Sequence, residues 1–164
     1  MRNTSAIRRI DDLGRVVIPK EIRQALRLKA NSEVKVVCDD GKSILITPHS
    51  KLNPFYDVIK NVVNSFDESE LCFVCDNFKV IASTKPNITL SESFFDVVQK
   101  RENIVLHGEN LFKFAQNSQT EIILPLICNG DILGAFCVCY NKFLDNFNHL
   151  KPTQTFLQNY LSEF

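Results

Sequence analysis

Residues 33–47, EVKVVCDDGKSILIT, alternate apolar and polar side chains on either side of an Asp-Gly pair. A period of two marks a strand with one buried face, and Asp-Gly supplies the left-handed residues that a two-residue hairpin loop needs. The pattern predicts a hairpin with Val34, Val36 and Cys38 on one face, a turn at Asp40-Gly41, and Ile44 and Ile46 continuing that face on the return. Upstream, Val16, Val17 and Ile18 form a β-branched run stopped by Pro19. Proline suits a first helical turn, where its missing N–H needs no partner. In PKEIRQALRL, Ile22, Ala25 and Leu26 then fall on one stripe, leaving Lys20, Arg23, Gln24 and Arg27 for the rest of the surface. Short strands around one short helix, in about 50 residues, bury too little to be stable alone. Their edges also stay open to pairing. Either two copies complete one core as an obligate dimer, or this half packs on the remainder of its own chain; spacing alone does not choose.

Charge divides the chain at the same place. The 164 residues hold 19 Lys plus Arg and 19 Asp plus Glu, a net charge of zero. Residues 1–52 nevertheless carry 11 basic and 6 acidic side chains, and residues 53–164 carry 8 and 13. Arg2, Arg8, Arg9, Arg15, Arg23 and Arg27 crowd the start, and only Arg101 lies elsewhere. Such a split points to a basic module that meets a polyanion, joined to a module with another task. With 45% apolar and 23% charged residues, the composition is that of a globular protein and not of a disordered one. No apolar run approaches the roughly 20 residues of a membrane span. MRNTSAIRRIDD turns polar where a signal peptide would be apolar. A cytoplasmic protein without membrane contact is expected.

Residues 47–54, TPHSKLNP, lack periodicity and hold two prolines, so the linker is expected there. Beyond it, Phe55, Ile59, Val62 and Phe66 repeat at helical spacing. Strands are predicted over 71–75 and 78–83, joined at Asp76-Asn77. Thr89 and Glu92 have capping-box spacing ahead of SFFDVVQKR, a helix burying Phe94, Val97 and Val98. EIILPLI and ILGAFCVCY are β-rich runs around Asn129-Gly130, a strong hairpin signal. A last helix carries Phe156, Leu157, Tyr160 and Leu161. Strands interleaved with helices predict an α+β domain with a largely antiparallel sheet.

The thiols and imidazoles suggest little chemistry. Cys38, Cys72, Cys75, Cys128, Cys137 and Cys139 lie in a chain expected in the cytoplasm, where structural disulfides are rare. Cys72 and Cys75 have half the spacing of a zinc knuckle, but three residues along a strand point to opposite faces. Cys137 and Cys139 share a face without further ligands nearby in sequence, and His49, His107 and His149 are dispersed. Buried, apolar-like cysteine is the expectation, with no metal and no catalytic residue. Redox sensing and a catalytic thiol stay open as alternatives.

RRIDDLGRVVIPKEIRQALRL resembles the signature of the AbrB-type DNA-binding family. The signature elements stand at Arg8-Arg9, Asp11 before Asp12-Leu13-Gly14-Arg15, Val16-Val17-Ile18, Pro19 and Glu21-Ile22-Arg23. The resemblance implies a swapped-hairpin barrel over residues 1–52, built by two chains exchanging strands, and so a homodimer. It implies DNA contacts by Arg8, Arg15 and Arg23 with Arg9 beside them; Lys20 is added as an auxiliary phosphate contact. A guanidinium suits that work, pairing bidentately with phosphate or with guanine O6 and N7. Gly14 is expected in a left-handed turn before Arg15. Where relatives often carry a further arginine, this chain has Gln24, which can read adenine. EIILPLICNGDILGAFCV, with the element order of residues 53–164, resembles a GAF domain. That implies a regulatory or oligomerisation module, open to a small-molecule ligand that no residue identifies, and a tetramer as a dimer of dimers. The combination implies a non-enzymatic, nucleoid-associated transcriptional regulator of the sporulation or transition-state type. Two alternatives belong to other classes: an antitoxin-like protein-binding module, and a GAF-fold thiol enzyme such as a methionine sulfoxide reductase.

Overall fold

The computed structural model describes residues 5–28, 30, 32–67, 70–108, 111–113 and 119–163. Contacts divide the chain into two compact units, Met1–His49 and Ser50–Phe164.

In the first unit, helix α1 (Lys20–Ala25) follows an extended Pro19, which serves as the N-cap and not as a first-turn residue. The helix ends earlier than its apolar spacing predicts. Arg27 adopts a left-handed φ of 54°, Leu28 N donates to Arg23 O at 2.8 Å, and Arg27 N donates to Gln24 O at 3.0 Å. These two bonds make a Schellman ending without the glycine that usually announces one. Ile22 and Leu26 are half-buried, whereas Ala25 is exposed. Strands β1 (Val34–Asp39) and β2 (Ser43–Pro48) pair antiparallel, with Val36 opposite Ile46 and Cys38 opposite Ile44, the predicted face. Asp40 and Gly41 both have positive φ. The ladder closes at Asp39 and Ser43, so the loop is one residue longer than the Asp-Gly signal implies. Among the described residues Val16–Ile18 pairs with no strand, contrary to the strand its β-branched run predicts. Among the described residues of this unit no apolar side chain is buried, and Ile7, Val17 and Ile44 are 95%, 72% and 66% exposed. A β-branched run is extended by its side chains but becomes a strand only with a partner to bond.

The second unit is built on a five-stranded antiparallel sheet. Its strands are β3 (Leu71–Asp76), β4 (Val80–Ser83), β6 (Ile104–Leu106), β8 (Thr120–Cys128) and β9 (Asp131–Tyr140), in the order β4-β3-β9-β8-β6. A two-stranded ladder of β5 (Thr89–Leu90) and β7 (Phe112–Lys113), unforeseen in the sequence, stands apart from it. The β8–β9 loop is Asn129-Gly130, both left-handed, as predicted. Helices α2 (Tyr56–Asn64) and α4 (Lys151–Ser162) cover one face of the sheet. There Ile59, Val63, Leu157 and Leu161 pack on Cys72, Val74, Ile122, Leu124, Phe136 and Val138. Helix α3 (Glu92–Gln99) covers the other, with Phe94 and Val98 on Phe73, Cys75, Ile123 and Cys137. Fully burying one such aliphatic or aromatic side chain contributes about 1.5–3 kcal/mol. Leu52, within the stretch predicted as linker, is completely buried in this core.

Three details depart from the sequence pattern. The α3 cap is Ser91, whose Oγ accepts from Phe94 N at 3.1 Å, because Thr89 is drawn into β5. On α2 the fully buried pair is Ile59 and Val63, with Phe55, Val62 and Phe66 at its margin. On α4 the inward positions are Gln154, Leu157 and Leu161, and Phe156 is half exposed. Gln154 is inside because of Pro125. Strand β6 pairs only with residues 121–123 of β8, so the edge beyond it is open, and proline is tolerated there. Gln154 Nε2 donates to Pro125 O at 3.0 Å, and Gln158 Nε2 donates to Pro125 O and Ile127 O, each at 3.4 Å. Two glutamines one helical turn apart thus close the edge that β6 leaves unpaired.

Candidate nucleic-acid interface

Arg8, Arg9, Arg15, Lys20 and Arg23 all lie in the first unit, and all are exposed. They reach the surface from different local structures. Arg8 and Arg9 lie in the segment ahead of the first turn, where Arg8 Nη1 donates to Ile7 O at 2.9 Å. Arg15 closes that turn, while Lys20 and Arg23 project from α1. Lys20, Arg23, Gln24, Leu28 and Ala30 line one concavity of about 350 Å³. The position where Gln24 departs from the family pattern therefore adjoins Arg23.

The turn at residues 11–15 has the most defined geometry. Gly14 has φ +75°, as its place before Arg15 predicts. Gly14 N donates to Asp11 O at 2.9 Å, and Asp11 N donates to Arg15 O at 3.0 Å. The Asp11 carboxylate takes up two further backbone donors and a side-chain one. Its Oδ1 accepts from Leu13 N at 3.1 Å and Arg15 N at 2.7 Å, and its Oδ2 accepts from Arg15 Nε at 2.7 Å. The Arg15 backbone amide first, and its guanidinium second, hold the Asp11 carboxyl below the usual carboxylate range. The sequence pattern alone assigns Asp11 no task of its own. Its signal was an Asp three residues ahead of a turn glycine, where a carboxylate can bond its own downstream backbone.

The thiols form no comparable site. Cys72 lies on the α2–α4 face of the sheet, and Cys75, Cys137 and Cys139 lie on the α3 face. Five of the six are buried and Cys38 is exposed. Burial pushes the thiols of Cys72, Cys128, Cys137 and Cys139 up, the reverse of the shift that activates a nucleophile. Among the described residues no three His, Cys, Asp or Glu side chains converge on a metal-sized site. Two imidazoles have packing partners: His149 Nε2 meets Tyr140 OH at 2.8 Å, and His107 stacks on Phe143 with centroids 4.0 Å apart. None of the described helices is long and apolar enough to cross a membrane.

The exposed basic unit, with its hairpin, short helix and pinned arginine turn, is also the part of the chain that matches a known family. Residues 7–53 match the family described as Antidote-toxin recognition MazE, bacterial antitoxin. Beyond that segment, the chain is homologous to stage V sporulation protein T of Bacillus subtilis (strain 168). The two are 27% identical over 150 residues, which is 84% of this chain and 84% of that protein. The transition state regulatory protein AbrB of the same organism is 42% identical over 45 residues, 27% of this chain and 47% of its own length.

Proposed function

We propose that the chain is a DNA-binding transcriptional regulator of the sporulation or transition-state type. The observation that carries this reading is the homology over 84% of the chain to stage V sporulation protein T, with the matched family segment falling on the exposed basic unit. Residues 1–52 act as an AbrB-type swapped-hairpin domain and residues 53–164 as a GAF-like regulatory or oligomerisation domain. The apolar side chains that the first unit leaves in solvent support a homodimer, since a second chain would cover them. The antiparallel sheet with helices on both faces supports the GAF-like assignment. A tetramer of paired dimers and a nucleoid-associated, cytoplasmic location complete the proposal.

Arg8, Arg9, Arg15 and Arg23 bind duplex DNA, with Lys20 as an added phosphate contact. The driving force is chiefly release of counterions condensed on the phosphates. Eight arginines per dimer, each neutralising one phosphate, give a slope of log affinity against log salt of roughly −7. The test is fluorescence anisotropy with an AT-rich duplex over a salt series, for the wild type and Arg15→Ala. Tight binding with a steep negative slope, weakened but still measurable in the variant at low salt, is the expected result; a slope near zero overturns the reading.

One observation favours a second reading. The matched family is described as an antitoxin, which points to a protein partner for the same unit. The second unit has its own core and so argues against a tail that wraps a toxin. Weak DNA binding indifferent to Arg15→Ala would bring this reading forward.

A further inference from the structure

We infer that Asp11 is a positioning residue for Arg15, presetting its guanidinium for duplex DNA; the inference rests on the DNA-binding reading above. Asp11 uses its backbone N–H, its carbonyl and both carboxylate oxygens to close the turn that ends at Arg15. The carboxylate meets the guanidinium only at Nε, 2.7 Å away. The terminal amino groups, which form the fork that pairs with guanine O6 and N7 or with two phosphate oxygens, are left clear of that bond. A long, flexible side chain thereby loses part of its rotamer freedom before DNA arrives, and the loss no longer opposes binding.

The sign of the electrostatics makes this testable. A carboxylate beside a DNA-facing arginine repels phosphate, so if Asp11 were only a surface charge, its neutralisation would tighten binding. Positioning predicts the opposite. Asp11→Asn keeps the size and one acceptor oxygen but gives up the charge that orients Arg15. Asp11→Glu keeps the charge and displaces it by one methylene.

The experiment compares full-length wild type, Asp11→Asn, Asp11→Glu, Arg15→Ala and the Asp11→Asn/Arg15→Ala double variant by anisotropy on an AT-rich duplex. Both single Asp11 variants are expected to weaken binding, by about three- to tenfold, the range of one lost hydrogen bond. In the Arg15→Ala background, Asp11→Asn is expected to leave affinity unchanged or to raise it. Tighter binding by Asp11→Asn, wild-type affinity in Asp11→Glu, or an equal loss with and without Arg15 would each overturn the inference; the last would show that Asp11 only supports the turn. A flat salt dependence of the wild type is a separate outcome, which overturns the DNA-binding reading and the inference with it.

Discussion

Raising the pH should unfold the second unit well before it affects an ordinary domain. Cys72, Cys137 and Cys139 are buried on the two faces of one sheet, and desolvation raises each thiol above its ordinary value of 9.0. The unfolded chain releases these protons near pH 9 while the folded chain keeps them. Protons bound therefore fall more in the unfolded state, and stability decreases as pH rises. Below pH 8 the contribution is intact. At pH 10 each thiol that stays protonated costs about 1.4 kcal/mol, so three cost about 4 kcal/mol. Cys128 shifts in the same direction and adds to the loss. For a unit of this size, that corresponds to a fall in Tm of about 15–20 °C between pH 8 and pH 10. The assay is thermal and urea unfolding across pH 7–10 under reducing conditions, with Cys137→Ala as control. That variant is less stable at pH 7, and its alkaline slope is shallower by up to about 1.4 kcal/mol per pH unit. A chromogenic disulfide reagent at pH 8 should find at most Cys38 reactive in the native protein and all six thiols after denaturation. Constant stability to pH 10, or rapid reaction of a second native thiol, would refute the reasoning and revive the thiol-enzyme alternative.

Gln154→Ala should destabilise the second unit by about 1–3 kcal/mol in urea titrations, because Pro125 O loses its closest side-chain donor and Asn103 loses its amide partner. Gly134→Ala should cost more than about 3 kcal/mol or abolish soluble expression: the added Cβ would sit 1.9 Å from Cys75 O, and a backbone carbonyl in a central strand cannot move aside.

Legibility in the sequence followed the range of the forces involved. The hairpins at Asp40-Gly41 and Asn129-Gly130, and the left-handed Gly14, were readable because a few adjacent residues decide a turn. The faces of β3 and β9 were readable because a period of two fixes them: Cys72 and Cys75 do face opposite sides, and Cys137 and Cys139 the same one. What stayed hidden depends on partners distant in sequence. Gln154 looks like a surface residue until Pro125, 29 positions away, presents an unpaired carbonyl. Ser91 outcompeted Thr89 as a cap because Thr89 pairs with Lys113. The end of α1 was hidden for a different reason: Arg27 occupies the position where glycine gives the signal. At the candidate interface the basic residues were legible individually, whereas the carboxylate that orients one of them was not, since an acidic residue beside a polyanion site reads as a liability.

The same physics links DNA contact to assembly. A unit of 49 residues in which none of the described apolar side chains is buried cannot derive its order from its own core. Covering Ile7, Ile10, Val17, Ile44 and Leu45 with the equivalent residues of a second chain would supply it, and the folding of this unit would then depend on concentration. The second unit has a sheet covered on both faces by three helices and a capped edge, and carries no such requirement. Arg8, Arg9, Arg15, Lys20 and Arg23 all sit on this unit, so in the proposed dimer their arrangement as one array would depend on assembly. DNA, by binding the assembled form, would stabilise the dimer as much as the dimer stabilises the arginine array. In the proposed dimer, a salt slope of roughly −7 would accordingly belong to the pair of chains, and a titration run below the dimer's dissociation constant would report assembly together with phosphate contact.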